Sequence, residues 1–192
     1  MRAIVAACVM MASLGVTGAG AADIEGRWGL GAGVVPGGLK VSLFRGTSER
    51  SAWLFDVAID QEDRSRDFQS STFTSFEDQD TWVVSVGPGY RRFLRPEAEF
   101  SPYWDVQVNG LYARSHFHYR SSSPRTLSST RTDAGVAGQF AFGLEYFFRQ
   151  HLSVAAHGTV AEFAWLHTSR PSGHVVISSI GLNPVIFLRG YW

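Results

Sequence analysis

The chain has 192 residues, with 17 basic and 17 acidic side chains and a formal net charge of zero. A balanced charge offers nucleic acid no electrostatic foothold. The single cysteine, Cys8, provides neither a disulfide framework nor a thiolate metal site, and beyond the first residues no segment has the roughly 20 continuous apolar residues of a spanning helix.

Residues 1–22 read MRAIVAACVMMASLGVTGAGAA. Arg2 precedes an apolar stretch from Ala3 to about Val16, and Ala19-Gly20-Ala21 forms a small-residue exit. This pattern predicts a cleaved secretory signal peptide over 1–22, followed by one domain over 23–192. Too few residues precede Cys8 for it to close an apolar signal region, so no lipid is expected there. The chain is therefore expected to be exported without a helical anchor.

From Arg27 onward the pattern has a period of two, the mark of β-strands. The first strand, Arg27–Val34, sets Trp28, Leu30, Ala32 and Val34 against glycines, and Pro36-Gly37-Gly38 ends it. The second, Leu39–Arg45, alternates Leu39, Val41 and Leu43 with Lys40 and Ser42. After the tight turn GTSERS, the third, Ala52–Asp60, sets Trp53, Phe55, Val57 and Ile59 against Leu54, Asp56, Ala58 and Asp60. Gln61 to Asp80 is polar without apolar period and reads as a long loop. The fourth strand, Thr81–Tyr90, is followed by the charged link RRFLRPEAEF. The fifth, Tyr103–Ala113, sets Trp104, Val106, Val108 and Tyr112 against Asp105, Gln107 and Asn109. His116 to Arg131 reads as a second long polar loop. The sixth strand, Gly135–Phe148, turns at Arg149-Gln150-His151 into the seventh, Leu152–His167, whose phase slips near Glu162 as a bulge would make it do. The link SRPSGH leads to the last strand, whose segment 180–192, IGLNPVIFLRGYW, is nearly pure hydrocarbon on one face.

Eight strands, each with an apolar outer face, predict an all-β fold: an eight-stranded antiparallel transmembrane β-barrel in up-and-down order. In lipid every backbone polar group must be paired internally, which a closed sheet achieves. Eight strands leave an interior that side chains fill. Lys40, Asp56, Asp105, Gln107, Asn109, Glu145 and Arg189 fall on inward positions as a polar network, with Lys40 and Arg189 as the expected cations for the three acids. Aromatic side chains gather at strand ends. Trp28, Trp53, Tyr90, Trp104, Tyr146 and Trp192 are expected at the periplasmic edge, and Trp82, Tyr112 and Trp165 at the outer edge.

The chain resembles the small outer-membrane β-barrel family, the barrel domains of the OmpA, OmpX and OmpW kind. The resemblance rests on the leader, GLGAGVVPGG, KVSLFRGTSERSAWLFDVAI and the terminal IFLRGYW. It implies residence in the outer membrane of a Gram-negative cell, without a peptidoglycan-binding domain. It also implies a C-terminal signal, Phe187, Leu188, Tyr191 and Trp192, for the outer-membrane barrel assembly machinery, although such signals usually end in Phe.

Chemistry-bearing candidates are sparse. Ser115, His116 and His118 lie together in sequence, with Glu145, His157 and Glu162 on neighbouring strands, in the residue types of a nucleophile set. The order Ser-His-Phe-His departs from the His-x-Ser of lipid A deacylases. His116 and His118 share a face without a strong third metal ligand. No catalytic residue, metal or cofactor is assigned. The loop carrying Arg114, Arg120, Arg125 and Arg131 is free of acids and suits the phosphates of lipopolysaccharide. The reading is thus a monomeric, non-enzymatic barrel with a structural or surface-interaction role, its partners lipid and lipopolysaccharide. The alternatives are a narrow pore, a lipid A-modifying enzyme and a soluble periplasmic ligand-binding barrel.

Overall fold

The computed structural model describes residues 24–35, 37–69, 74–96, 100–121, 126–149, 151–169 and 172–192, with side chains described except at 65–69, 74–77, 119–121 and 126–127. The expected signal peptide lies outside them. Eight strands follow in chain order: β1 (Trp28–Val35), β2 (Gly38–Ser48), β3 (Ser51–Gln69), β4 (Thr74–Phe93), β5 (Phe100–Ser121), β6 (Thr126–Arg149), β7 (Leu152–Ser169) and β8 (Ser172–Tyr191). Each pairs antiparallel with the next, and β8 returns to β1, so the sheet closes into a barrel. The all-β, eight-stranded meander expected from the alternation is the observed fold.

The two stretches read as long loops are corrected by the structure. β3 and β4 remain paired from Ser51↔Arg92 to Gln69↔Thr74, and β5 and β6 from Phe100↔Tyr146 to Arg120↔Thr126. The ladder runs through residues with no apolar rhythm because alternation marks a strand only where one face meets hydrocarbon. Where both faces meet water, backbone pairing persists and the pattern vanishes. β8 begins at Ser172, inside the link SRPSGH and three residues before the apolar Val175. The slip on β7 is a bulge at Val160, between Thr159 and Ala161, slightly earlier than its expected place near Glu162.

The seams differ in length. β1 and β8 share six register pairs, Gly29↔Tyr191 to Val34↔Ile186, whereas β5 and β6 share 21. β1 reaches only Val35, where Gly37 turns the chain with φ of +88°, a left-handed conformation that favours glycine. The part of β8 before Ile186 therefore pairs with β7 alone among the described residues.

The two faces of the wall are opposites. Outward positions are apolar and exposed: Trp53, Phe55, Val57 and Ile59 on β3, Val106 and Val108 on β5, and Ile180, 91% exposed, on β8. For a water-soluble chain so continuous an apolar surface would be a liability. Around a closed barrel it is the lipid-facing band of a membrane-spanning protein. Aromatic rings edge this band. Trp53, Tyr90 and Trp104 form a row with centroids 5.5 and 6.0 Å apart. On the other edge Trp82, Tyr112 and Trp165 are exposed.

Glycines on β1 thin the wall where large side chains cross the interior. A Cβ on Gly33 would stand 2.6 Å from the Phe187 ring, and one on Gly31 would stand 2.8 Å from the Arg189 stem. β8 places those side chains directly opposite, in register with Gly33 and Gly31.

Candidate functional site

Inward residues at the end bearing the β2–β3 and β6–β7 turns form a closed floor. Ile24, Phe93, Tyr103, Phe147, Phe187 and Tyr191 belong to one buried apolar cluster. On it sits an ion network. Arg91 on β4 donates to Asp105 on β5 from Nη2 at 2.8 Å and from Nε at 3.3 Å, and to Glu145 Oε2 on β6 at 3.4 Å. Arg189 on β8 donates to the same Glu145 oxygen at 2.5 Å. The hydroxyls of Ser153 and Tyr191 donate to Glu145 Oε1, each at 2.5 Å. Asp105, Glu145 and Arg189 have no solvent exposure and Arg91 has 2%. Charges this deep stand only when paired and hydrogen-bonded. The guanidinium planes also rest on aromatic faces, Arg91 at 3.8 Å over Tyr103 and Arg189 at 4.7 Å over Phe187.

Each expected interior residue, Lys40, Asp56, Asp105, Gln107, Asn109, Glu145 and Arg189, is buried. The cation assignment needs correction, however. Lys40 pairs with Asp56 at 2.7 Å and donates to Gln107 at 3.1 Å, and Arg189 takes Glu145. The partner of Asp105 is Arg91, which sequence reasoning placed in a link. β4 continues through it to Phe93, and Gly87, Gly89, Arg91 and Phe93 alternate inward and buried. That two-residue step, read past the Arg91-Arg92 pair, was the available signal.

Beyond the ions lies a second polar region. Asn109 donates to Gln139, which donates to Glu162, both at 3.4 Å. These residues, with Lys40, Asp56 and His157, line a cavity of about 380 Å³. His157 stands 3.5 Å from Asp105, and its ring lies 6.2 Å from that of Tyr103.

The nucleophile candidates are not assembled. Ser115 is buried on the inner face and accepts from the Thr81 hydroxyl at 3.0 Å. His116 and His118 occupy the other face, and His116 Nδ1 meets Thr130 Oγ1 at 3.1 Å. Glu145 pairs in register with Ser101, which puts it roughly 45 Å from Ser115 measured along β5 at a strand's rise per residue. No group of three His, Cys, Asp or Glu side chains suited to a metal occurs among the described residues.

The arginines expected at lipopolysaccharide are split. Arg114 is exposed on the outer face of β5, in register with Trp82. Arg131 shares the inner register of β6 with Asp133, to which its Nε donates at 2.8 Å. Arg125 and the side chain of Arg120 lie outside the described residues. At the chain's end Phe187 and Tyr191 are buried inside the barrel, whereas Leu188 and Trp192 are exposed.

No protein-family model matches the chain, and no curated protein matches it. Among solved structures it is similar to Ail, the attachment invasion locus protein of Yersinia pestis, at 16% identity and TM-score 0.43, over 88% of this chain and 99% of that one. It is also similar to CarO2 of Acinetobacter baumannii, at 11% identity and TM-score 0.45, over 86% of this chain and 98% of that one. A major outer membrane protein of Thermus thermophilus gives 10% identity and TM-score 0.43, over 86% and 98%. Likenesses this distant add nothing to the strand pairing and say nothing of function. From that pairing and the apolar band, the chain is an eight-stranded, membrane-spanning β-barrel of the small kind expected from its sequence.

Proposed function

We propose that the chain is an integral protein of the Gram-negative outer membrane, monomeric and non-enzymatic, that meets lipopolysaccharide and other surface partners through its long hairpins. The observation that carries this reading is the reach of β3–β4 and β5–β6, whose ladders continue past the Trp82–Tyr112 edge to Gln69↔Thr74 and Arg120↔Thr126. In this orientation the short turns face the periplasm, as they do in outer-membrane barrels. Residues 1–22 serve as the export signal, and Phe187, Leu188, Tyr191 and Trp192 are read by the barrel assembly machinery before the strand closes. Arg114, standing beside Trp82 on the outer face, supplies the guanidinium fork for a lipid-linked phosphate.

The interior takes no part in transport in this reading. The floor of buried aromatic rings and paired ions supports a plugged barrel over a narrow pore. The experiment uses the refolded protein in vesicles with and without lipopolysaccharide. Arg114→Ser, and removal of the hairpin tips beyond Asp63–Asp80 and His116–Thr130, are expected to reduce retention of lipopolysaccharide several-fold while the barrel still folds. Planar bilayers are expected to show no unitary current. Unchanged retention in both variants would remove the surface reading, and a steady current would restore the pore.

A further inference from the structure

The cavity above the ion network carries chemistry that neither the lipid contact nor the floor uses. Its lining rises from Lys40, Asp56 and His157, next to the buried ions, to Asp60 and Glu162 nearer the long hairpins, and its volume of about 380 Å³ falls in the range of small-molecule sites. We infer that it binds a small organic cation bearing N–H donors, an alkylammonium or a guanidinium.

The hydrogen-bond directions carry the argument. Glu162 as a carboxylate only accepts, so the Gln139 amide turns its NH₂ toward Glu162 and its oxygen toward Asn109. The Asn109 NH₂ then donates to that oxygen. This relay leaves Asn109 Oδ1 as a buried acceptor without a donor. Asp56 Oδ2 holds Lys40, and Asp56 Oδ1 is likewise buried without a donor. Asp56 and Asn109 are 4% and 3% exposed. Unmet acceptors at this depth are costly and call for a donor-bearing guest.

Charge selects the guest further. The cavity lining holds three carboxylates, Asp56, Asp60 and Glu162, against the one ammonium of Lys40. Arg91 and Arg189 lie below it, their charges paired with Asp105 and Glu145, although Arg189 keeps Nε and Nη2 without a hydrogen-bond partner. The excess is negative, so a cation is favoured over a neutral polyol. No three metal-ligating side chains converge among the described residues, which favours a polyatomic cation over a bare metal ion. Closure of the floor makes this a binding cup, entered from the long-hairpin end.

The test is a titration of the full barrel in micelles, following the side-chain amide resonances of Asn109 and Gln139. The probes are n-butylammonium and methylguanidinium, with n-butanol and methylurea as uncharged counterparts and sodium and magnesium chlorides as metal controls. Saturable shifts are expected with the organic cations alone. Asp56→Asn and Asn109→Ala are each expected to weaken binding by about ten- to a hundredfold, the loss of one charge-assisted or buried hydrogen bond. Glu162→Gln, which removes a charge nearer the rim, gives a third reading if Asp56→Asn does not fold. Equal shifts from the uncharged counterparts or the metal salts would overturn the assignment. So would the absence of saturation, or affinities unchanged in the folded variants.

Discussion

Arg91 and Asp105 face each other as direct register partners on β4 and β5, and their side chains meet at 2.8 Å inside the barrel. The pair is neighbourly along the sheet, yet Arg91 also reaches Glu145 on β6. One guanidinium thus ties three consecutive strands.

Replacing Arg91 with Met leaves Asp105 buried without its cation. The expected loss is about 3–5 kcal/mol of unfolding free energy, read as a lower urea midpoint with an unchanged slope. Adding Asp105→Asn is expected to recover part of that loss, because the uncompensated charge disappears. A silent Arg91→Met variant would contradict the network.

Glu145→Gln should cost more than Asp56→Asn. Glu145 accepts from Arg189, Arg91, Ser153 and Tyr191, and its neutralisation leaves Arg189 without a carboxylate and takes from Arg91 its second anion, Asp105 remaining its first. Asp56→Asn strands one ammonium, and Lys40 keeps its bond to Gln107. Urea unfolding of both variants in the same lipid tests the order.

Val108 is 59% exposed on the outer face of β5. Val108→Arg puts a guanidinium against hydrocarbon and is expected to destabilise the folded barrel by about 2–4 kcal/mol in vesicles. Ser128→Arg, on the polar hairpin beyond the aromatic edge, is expected to be close to neutral. Equal effects at the two positions would remove the lipid band.

The tryptophans should report two depths. Trp28, Trp53, Trp104 and Trp192 belong to one edge of the band, and Trp82 and Trp165 to the other. In single-Trp variants, each is expected to be quenched more by lipids brominated near the headgroup than by lipids brominated near the chain end. Stronger quenching from the chain end would misplace the edges.

Legibility in the sequence followed the solvent. Where lipid lay outside and packed side chains inside, as along Trp53–Ile59, alternation was sharp and gave both the strand and its facing. At residues 61–64 and 78–80 the described side chains are exposed or half-buried on both faces, and the strand left no trace in the pattern. Arg91 was missed for a related reason: beside Arg92, in a string of mixed charges, it read as a loop residue. Ser115 and His116 teach the reverse. Adjacent residues on a strand face opposite ways, so the period-two rule by itself separates them.

The short join between first and last strands has its own consequence. Six register pairs and the reciprocal Trp28–Trp192 backbone bonds hold it, against 21 register pairs at the β5–β6 seam, and a ladder of backbone bonds parts most readily where it has fewest rungs. Unrolling of the cylinder therefore starts there. What resists it is the lean of β8 side chains on Phe44 of β2, with the Arg189 guanidinium 4.8 Å over that ring and the Tyr191 ring centroid 6.2 Å away, a clasp over the join that fastens the weakest suture from within.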